Sequence, residues 1–128
     1  MDIKSIIIVF IGGGIGSSIR YTITKYSDKN FIPFPAGTSI SNIIGCFIIG
    51  LLIAYCDKNG TPKKDMFLFL SVGICGGLTT FSSFMLDIFY MLKNENIQYI
   101  LTYFSVNFLL GLFFIYFGFL IFKWFLFF

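Results

Sequence analysis

The sequence predicts an all-α membrane protein with four transmembrane helices. Hydrophobic residues make up 57% of its 128 positions, charged residues make up only 12%, and the mean hydropathy is +0.89. A soluble domain of this size has too little interior to bury so much apolar surface. The apolar residues also form four runs of about 20 residues or more, the length that a helix needs to cross the hydrocarbon core. We expect one membrane domain over residues 1–128.

The predicted spans cover residues 4–26, 33–56, 65–92 and 96–122. The links between them are short, and they contain proline, glycine, asparagine or charged residues, which end helices and prefer water. The first apolar run continues into GGGIGSSIRY without a small-residue cleavage motif. It is therefore interpreted as a retained first span and not as a signal peptide.

Lysine and arginine residues are divided almost evenly between the two sides of the predicted helix bundle. One side carries Lys4, Lys58, Lys63, Lys64 and Lys123, and the other carries Arg20, Lys25, Lys29 and Lys93. Orientation in the membrane follows the lysine and arginine excess near the spans, and a five-to-four division gives almost none. Two interpretations follow. The chain is a monomer with a weak orientation signal, or it inserts both ways and forms an antiparallel homodimer.

Polar and small residues fall on one face of each span. Gly12, Gly16 and Arg20 are four residues apart, so two helical turns place smooth backbone and a charge on the same side. We expect a structural role for this set. The second and fourth spans carry comparable faces, formed by Thr38, Ser41, Asn42 and Gly45 and by Tyr103, Asn107 and Gly111. For the glycines, close helix packing is a sufficient explanation.

Arg20 and Asn42 are the polar side chains that packing explains least well. An arginine at the centre of a span costs about 2.5–3.5 kcal/mol on insertion scales. Arg20 therefore either extends to the nearby interface or has partners in the bundle. Asn42 lies nearer the middle of its span, and its amide requires a neighbouring helix, water or a ligand. Hydrogen bonding between helices and ligand binding both remain open for Asn42.

The stretch GGLTTFSSF interrupts the apolar pattern of the third span. Two glycines and two threonine hydroxyls that compete with the backbone predict a break in the helix over Gly76 to Thr80. Non-helical backbone at membrane depth is tolerated only where protein buries it or where it lines a wet cavity. The break therefore marks a candidate site. It distinguishes Phe81 and Phe84 from the other phenylalanines, of which the chain has 19 in all.

Three segments, GGGIGSSIRY, GTSISNIIGCFIIG and GICGGLTTFSSF, resemble in order and spacing the Fluc (CrcB) family of fluoride channels. The likeness covers nearly the whole chain, although the fourth span matches only in character. The departures are mild: the family often has alanine at the position of Ser17 and threonine at that of Ser83. The resemblance implies a dual-topology homodimer in the cell membrane with two narrow pores, through which fluoride leaves the cytoplasm passively.

The resemblance also implies which residues form the fluoride pore. It identifies Asn42 as a fluoride donor, and Phe81 and Phe84 as an aromatic pair whose ring edges contact the ion. An aromatic ring is positive at its edge, so such a contact is physically reasonable. The side-chain donors that suit a dehydrated anion are those of Asn42, Thr80, Ser82, Ser83 and Tyr103.

A structural sodium ion, which is not transported, is a further implication of the resemblance. The backbone carbonyls of Gly76 and Thr79 from each subunit would hold it, since carbonyl oxygens suit a hard cation. The residues alone leave another interpretation open, in which the broken backbone pairs with side chains such as those of Thr79 and Thr80 and no ion is needed.

Other functional classes fit the sequence less well. A small dual-topology multidrug transporter needs a carboxylate inside the membrane, but the first two spans have only Asp2 at their very start, and Asp87 is near the end of the third. The chain has no histidine, and Ser82 and Ser83 have no nearby lysine, so we predict no enzymatic activity. The small net charge of +3 predicts no nucleic-acid binding. A non-conducting membrane assembly subunit remains an alternative.

Overall fold

The computed structural model describes residues 2–27, 35–60, 63–93 and 97–125, and these residues are helical almost throughout. Helix α1 spans Ile3–Ser27 and helix α2 spans Ala36–Asn59. The third span consists of two helices. Helix α3 is continuous through Lys64–Phe67, the π-helical Leu68–Cys75 and Gly76–Leu78. Helix α4 spans Phe81–Lys93, and helix α5 spans Ile97–Phe125.

Four stretches of the described residues are long and apolar enough to cross a membrane, namely Ile3–Ser27, Ala36–Asn59, Lys64–Lys93 and Ile97–Trp124. None of the described residues lies in a β-strand. The predicted all-α membrane fold with four spans is thereby confirmed. The starts predicted at residues 33 and 96 lie outside the described residues, and α2 begins directly after Pro35.

The third span is broken as predicted, but over a shorter stretch. Thr79 has extended backbone, with φ −80° and ψ 151°, whereas Gly76–Leu78 remain helical. The break therefore lies at Thr79 and Thr80 and does not begin at Gly76. Helical packing explains the difference, because a Cβ atom on Gly77 would lie only 3.0 Å from the Cα of Gly13 in α1. This close tertiary contact outweighs the weak helix propensity of glycine.

Helices α1 and α3 pack backbone against backbone. Gly12 and Gly16 are both buried in this interface. A Cβ atom on Gly12 would lie 2.7 Å from the carbonyl oxygen of Phe69, and one on Gly16 would lie 2.8 Å from the amide nitrogen of Leu78. Small residues at the contact allow such an approach, which maximises van der Waals contact where no hydrophobic force drives helices together.

Helix α2 is the central helix of the bundle. A third of its membrane span is buried, 33%, against 11% for α1 and for α5. It packs extensively against α5, where a Cβ atom on Gly118 would lie 3.2 Å from the amide nitrogen of Leu51. The remaining helix faces are exposed and apolar, as expected for surfaces that meet lipid or another membrane protein.

Charged residues lie toward the ends of the spans and contact aromatic rings there. The ammonium groups lie 4.5–5.9 Å from ring centroids in three pairs, Lys25 with Tyr21, Lys93 with Phe89, and Lys123 with Phe119. Such pairs are typical of the membrane–water interface. Arg20 is half-buried in α1, and no described carboxylate lies within ion-pair distance of it.

Candidate functional site

A pocket of about 460 Å³ opens on the surface of the bundle beside the break in the third span. Its walls come from α2, the break, α4 and α5. The lining residues are Asn42, Cys46, Thr79, Thr80, Phe81, Phe84, Phe104, Asn107 and Phe108. An apolar wall with a few polar groups is typical of a site that binds a small ligand. The structure thus brings together four of the predicted pore residues, Asn42, Thr80, Phe81 and Phe84.

Asn42 is held by the broken backbone. The backbone N–H of Thr80 donates a hydrogen bond to Asn42 Oδ1 at 2.9 Å. In an uninterrupted helix this N–H would bond to the carbonyl of Gly76, so the Asn42 side chain replaces the lost helical acceptor. The bond also fixes the orientation of the amide, because its oxygen is the acceptor. The two N–H groups of Asn42 Nδ2 donate to no described residue and are available at the pocket.

Thr80 caps the start of α4. Its Oγ1 accepts the backbone N–H of Ser83 at 3.2 Å and lies 3.1 Å from the hydroxyl oxygens of both Ser82 and Ser83. This is the usual arrangement of an N-cap threonine. The positive end of the α4 dipole therefore lies next to the pocket, which favours negative charge there. Ser82 and Ser83 do not line the pocket but belong to the hydroxyl cluster around Thr80.

The two predicted aromatic residues lie side by side, with ring centroids 6.2 Å apart and planes at 38°. Phe84 is buried, whereas Phe81 is 74% exposed and projects from the surface of the chain. Phe84 also stacks on Tyr103, with centroids 5.1 Å apart. One face of the Phe84 ring is consequently covered by Tyr103, and the position of this ring is fixed from behind.

Tyr103 lies behind the pocket wall and not on it. The residue is fully buried, and its hydroxyl donates a hydrogen bond to Asp87 Oδ2 at 2.7 Å. The sequence suggested this hydroxyl as a donor for a bound anion, but in the structure it is directed to a carboxylate. Tyr103 therefore supports the Phe84 ring.

The break changes the backbone hydrogen bonding at Gly76 and Thr79. Because the Thr80 N–H is turned to Asn42, the Gly76 carbonyl lacks its α-helical partner. The N–H and the hydroxyl of Thr79 both donate to the carbonyl of Cys75, at 2.9 and 2.8 Å. Within the described ranges, no group of three or more His, Cys, Asp or Glu side chains is placed to hold a metal ion. A cation at this point would therefore depend on backbone oxygens.

Comparison with known proteins identifies the family. A family model described as "CrcB-like protein, Camphor Resistance (CrcB)" matches residues 7–119. The chain belongs to the CrcB family. Together with the four apolar spans, this membership makes it a multi-pass integral membrane protein of the cell membrane.

Several curated relatives of this CrcB-family chain carry the name "Fluoride-specific ion channel FluC". The relative from Azobacteroides pseudotrichonymphae is 36% identical over 110 residues, which is 85% of this chain and 88% of the relative. The relative from Flavobacterium psychrophilum is 37% identical over 110 residues, 85% of this chain and 89% of the relative. The relative from Clostridium perfringens is 45% identical over 92 residues, 71% of this chain and 72% of the relative.

The pocket of this CrcB-family chain includes residues that sequence reasoning did not place in the site. Asn107 is the most polar of them: its Nδ2 donates to Ser39 Oγ and to the Tyr103 carbonyl, both at 2.9 Å. Its Oδ1 is buried without a hydrogen-bond partner among the described residues. The four-residue spacing from Tyr103 placed Asn107 on the polar face of the fourth span. Phe104 and Phe108 gave no comparable signal among so many phenylalanines.

Proposed function

We propose that this chain is a fluoride-specific ion channel that lets fluoride leave the cytoplasm passively and thereby reduces its toxicity. The observation that carries the proposal is the pocket at the start of α4, which is lined by the amide of Asn42 and the rings of Phe81 and Phe84. The names of the relatives, which describe fluoride-specific ion channels, support the same function. A channel of this kind is not an enzyme.

The chemistry of the pocket suits a small anion. Fluoride is strongly hydrated, so a pore must replace the donors that it loses with its water. The N–H groups of Asn42, the positive end of α4 and the aromatic ring edges supply such donors without a full charge. No lysine or arginine lines the pocket in the described part of the chain. An anion held by partial charges is bound weakly enough to leave again, which conduction requires.

A passive pore is sufficient for export. Hydrogen fluoride enters cells as a neutral acid and dissociates in a more alkaline interior, where the anion is trapped. An open path through the membrane then lets fluoride leave down its own gradient. No proton coupling or nucleotide is needed, in agreement with the position of Asp87, whose carboxylate accepts the Tyr103 hydroxyl and does not line the pocket.

The working unit in this proposal is an antiparallel homodimer. The five-to-four division of positive charges supports insertion in both orientations. The pocket is open on the surface of one chain, and Phe81 is 74% exposed although it is part of the pocket wall. A second copy, related by a two-fold axis in the membrane plane, would close the pocket and form two equivalent pores.

A structural sodium ion is proposed at the break, held by the Gly76 and Thr79 carbonyls of both copies. The residues fit this ion, because the Gly76 carbonyl lacks its helical partner and has an affinity for a hard cation. The bound ion would supply a fixed positive charge between the two copies. The residues around it, Thr79 and Thr80, keep the carbonyls in place through their bonds to Cys75 and Asn42.

Ion flux from liposomes tests the function directly. Purified protein is reconstituted, the vesicles are loaded with fluoride, and efflux is recorded with a fluoride electrode while potassium permeability is provided by an ionophore. We expect fluoride efflux and no chloride efflux under the same voltage. Fluoride efflux that requires a proton gradient at fixed voltage would indicate a coupled transporter, and no efflux at all would indicate a non-conducting subunit.

Sodium removal tests the cation site. Exhaustive exchange into a large organic cation should dissociate the dimer and abolish fluoride flux, whereas Thr79→Ser should have little effect, since it keeps the backbone oxygen. Dimer content is measured by crosslinking and light scattering. Full fluoride conduction and an intact dimer in rigorously sodium-free buffer would contradict the proposal.

A further inference from the structure

A second groove lies where the start of α1 packs against the start of α3. Its volume is about 500 Å³. The lining residues are Asp2, Ser5, Ile6, Val9, Phe10, Lys64 and Leu68. The walls are apolar, and Phe10 is 80% exposed. The charged residues lie at the ends of the two helices. The groove is thus apolar along the membrane span and charged where the span ends.

Among the described residues that line this groove, Asp2 is an anion and Lys64 is a cation. Lys4 is paired with Asp65 at 2.5 Å, so both charges of that pair are already compensated. Asp2 accepts the Lys4 backbone N–H at 3.1 Å and the Ser5 hydroxyl at 3.0 Å. Its carboxylate retains lone pairs that can accept further donors. Lys64 lines the groove, and its ammonium makes no ion pair with any residue that the structure describes.

We infer that this groove binds a phospholipid whose headgroup carries a phosphate and a primary amine, as in phosphatidylethanolamine. The phosphate contacts the Lys64 ammonium and the amine donates to the Asp2 carboxylate. One acyl chain lies along Ile6, Phe10 and Leu68. A zwitterionic headgroup matches both charges, whereas an anionic headgroup leaves Asp2 next to negative charge. A choline headgroup has no N–H with which to contact the carboxylate.

Native mass spectrometry measures the preference for this lipid. Purified protein in a mild detergent is titrated with phosphatidylethanolamine, phosphatidylcholine or phosphatidylglycerol of identical acyl chains. We expect the first bound phosphatidylethanolamine to have an affinity about fivefold higher than either of the other lipids, because all three phosphates can contact Lys64 but only the ethanolamine N–H donates to the Asp2 carboxylate. Equal affinities for the three lipids would overturn the inference.

Substitutions test whether Lys64 contributes to the affinity for the phosphate and whether Asp2 determines the preference for ethanolamine. Lys64→Gln should lower the phosphatidylethanolamine affinity about fivefold. The matched control is Lys63→Gln, because Lys63 is the neighbouring exposed lysine and does not line the groove. Asp2→Asn keeps a good helix cap but should remove the preference for ethanolamine over choline. Equal losses in Lys63→Gln and Lys64→Gln would show nonspecific surface attraction and would overturn the inference.

A fluorescent probe in the groove locates the lipid. Trp124 is the single tryptophan, so Trp124→Phe provides a background in which Phe10→Trp reports on the groove and Leu109→Trp reports on an exposed face of α5. With lipids brominated on their acyl chains, quenching at position 10 should be stronger for phosphatidylethanolamine than for phosphatidylcholine, and equal at position 109. Equal quenching by both lipids at position 10, or none, would contradict the lipid site. None of these measurements depends on fluoride conduction.

Discussion

The two halves of the third span are held in place by different kinds of contact. Helix α3 is held against α1 by direct backbone contact, with glycines on both sides of the interface. Helix α4 makes far fewer contacts, and it is placed by hydrogen bonds at its first turn and by ring contacts of Phe84. One apolar segment thus combines a rigid anchor with a polar, sparsely packed site. Two non-helical residues, Thr79 and Thr80, separate them.

This division predicts two classes of substitution. Changes in the α1–α3 interface should lower the free energy of unfolding, because no side chain there can move aside. Changes at Asn42 or Phe84 should alter conduction while the fold is kept.

Gly16→Val should have the largest effect. Its Cβ would approach the backbone of α3 at Leu78 to 2.8 Å, and backbone cannot be repacked like a side chain. We expect a loss of about 3 kcal/mol in the free energy of unfolding, at the upper end of typical overpacking. Denaturation of the purified protein in detergent measures it.

Gly14→Val is the matched control for this interface. Gly14 is on the same helix, and a Cβ atom there would have no other atom within 4 Å. Both variants change helix propensity equally, so the difference between them isolates the contact. Equal destabilisation by Gly14→Val and Gly16→Val would mean that the close α1–α3 approach does not stabilise the fold.

Asn42→Asp should separate structure from conduction at the break. An aspartate accepts the Thr80 N–H as the amide oxygen does, so the break is preserved. It removes the N–H donors and introduces negative charge in the pocket. Loss of one charge-assisted hydrogen bond is worth about 2 kcal/mol, which corresponds to about thirtyfold lower fluoride flux.

Asn59→Asp, at the exposed end of α2, controls for the added charge and should conduct normally. Liposome efflux and melting temperature are measured for both variants. Wild-type flux in Asn42→Asp would exclude the amide as an anion donor. A large drop in melting temperature would instead assign Asn42 a mainly structural role.

Phe84→Ile should lower fluoride flux about fivefold, since an aromatic contact is worth about 1 kcal/mol and isoleucine keeps the apolar bulk without a ring edge. Phe113→Ile is the control, because Phe113 is also stacked, with its centroid 5.7 Å from that of Phe117, but lies outside the pocket. Similar flux in both variants would mean that the Phe84 ring is packing only.

The sequence predicted the spans and the break because both depend on local properties, namely apolar length and backbone propensity. It placed the break too early, because the helical state of Gly76–Leu78 is decided by contact with α1, which no local pattern reports. The π-helical turns over Leu68–Cys75 gave no sequence signal either. Long-range packing therefore decided where the break begins.

The candidate site was predicted in part for the same reason. Asn42 and Thr80 are polar residues in apolar runs, so the sequence indicated both as candidates. It did not indicate the hydrogen bond between them, because that bond joins residues 38 positions apart. The sequence also indicated Tyr103 as a candidate, but it did not indicate that the hydroxyl is directed toward Asp87. The direction of a buried donor depends on a neighbour in another helix. Sequence reasoning therefore identified the participants better than their geometry.

Ser41→Ala should have the smallest effect on stability. Ser41 is fully buried in α2, and its hydroxyl has no hydrogen-bond partner in the described part of the chain. Alanine removes an unsatisfied polar group and has a higher helix propensity, so the free energy of unfolding should stay within about 0.5 kcal/mol of wild type or rise slightly. Ser39→Ala is the control, since the Ser39 hydroxyl accepts the Asn107 amide and its loss should cost about 1 kcal/mol. If Ser41→Ala is as damaging as Ser39→Ala when the protein is melted in the proposed dimeric form, then a group outside the single chain satisfies the Ser41 hydroxyl. The polar side of α2 would then contribute to assembly as well as to the pocket.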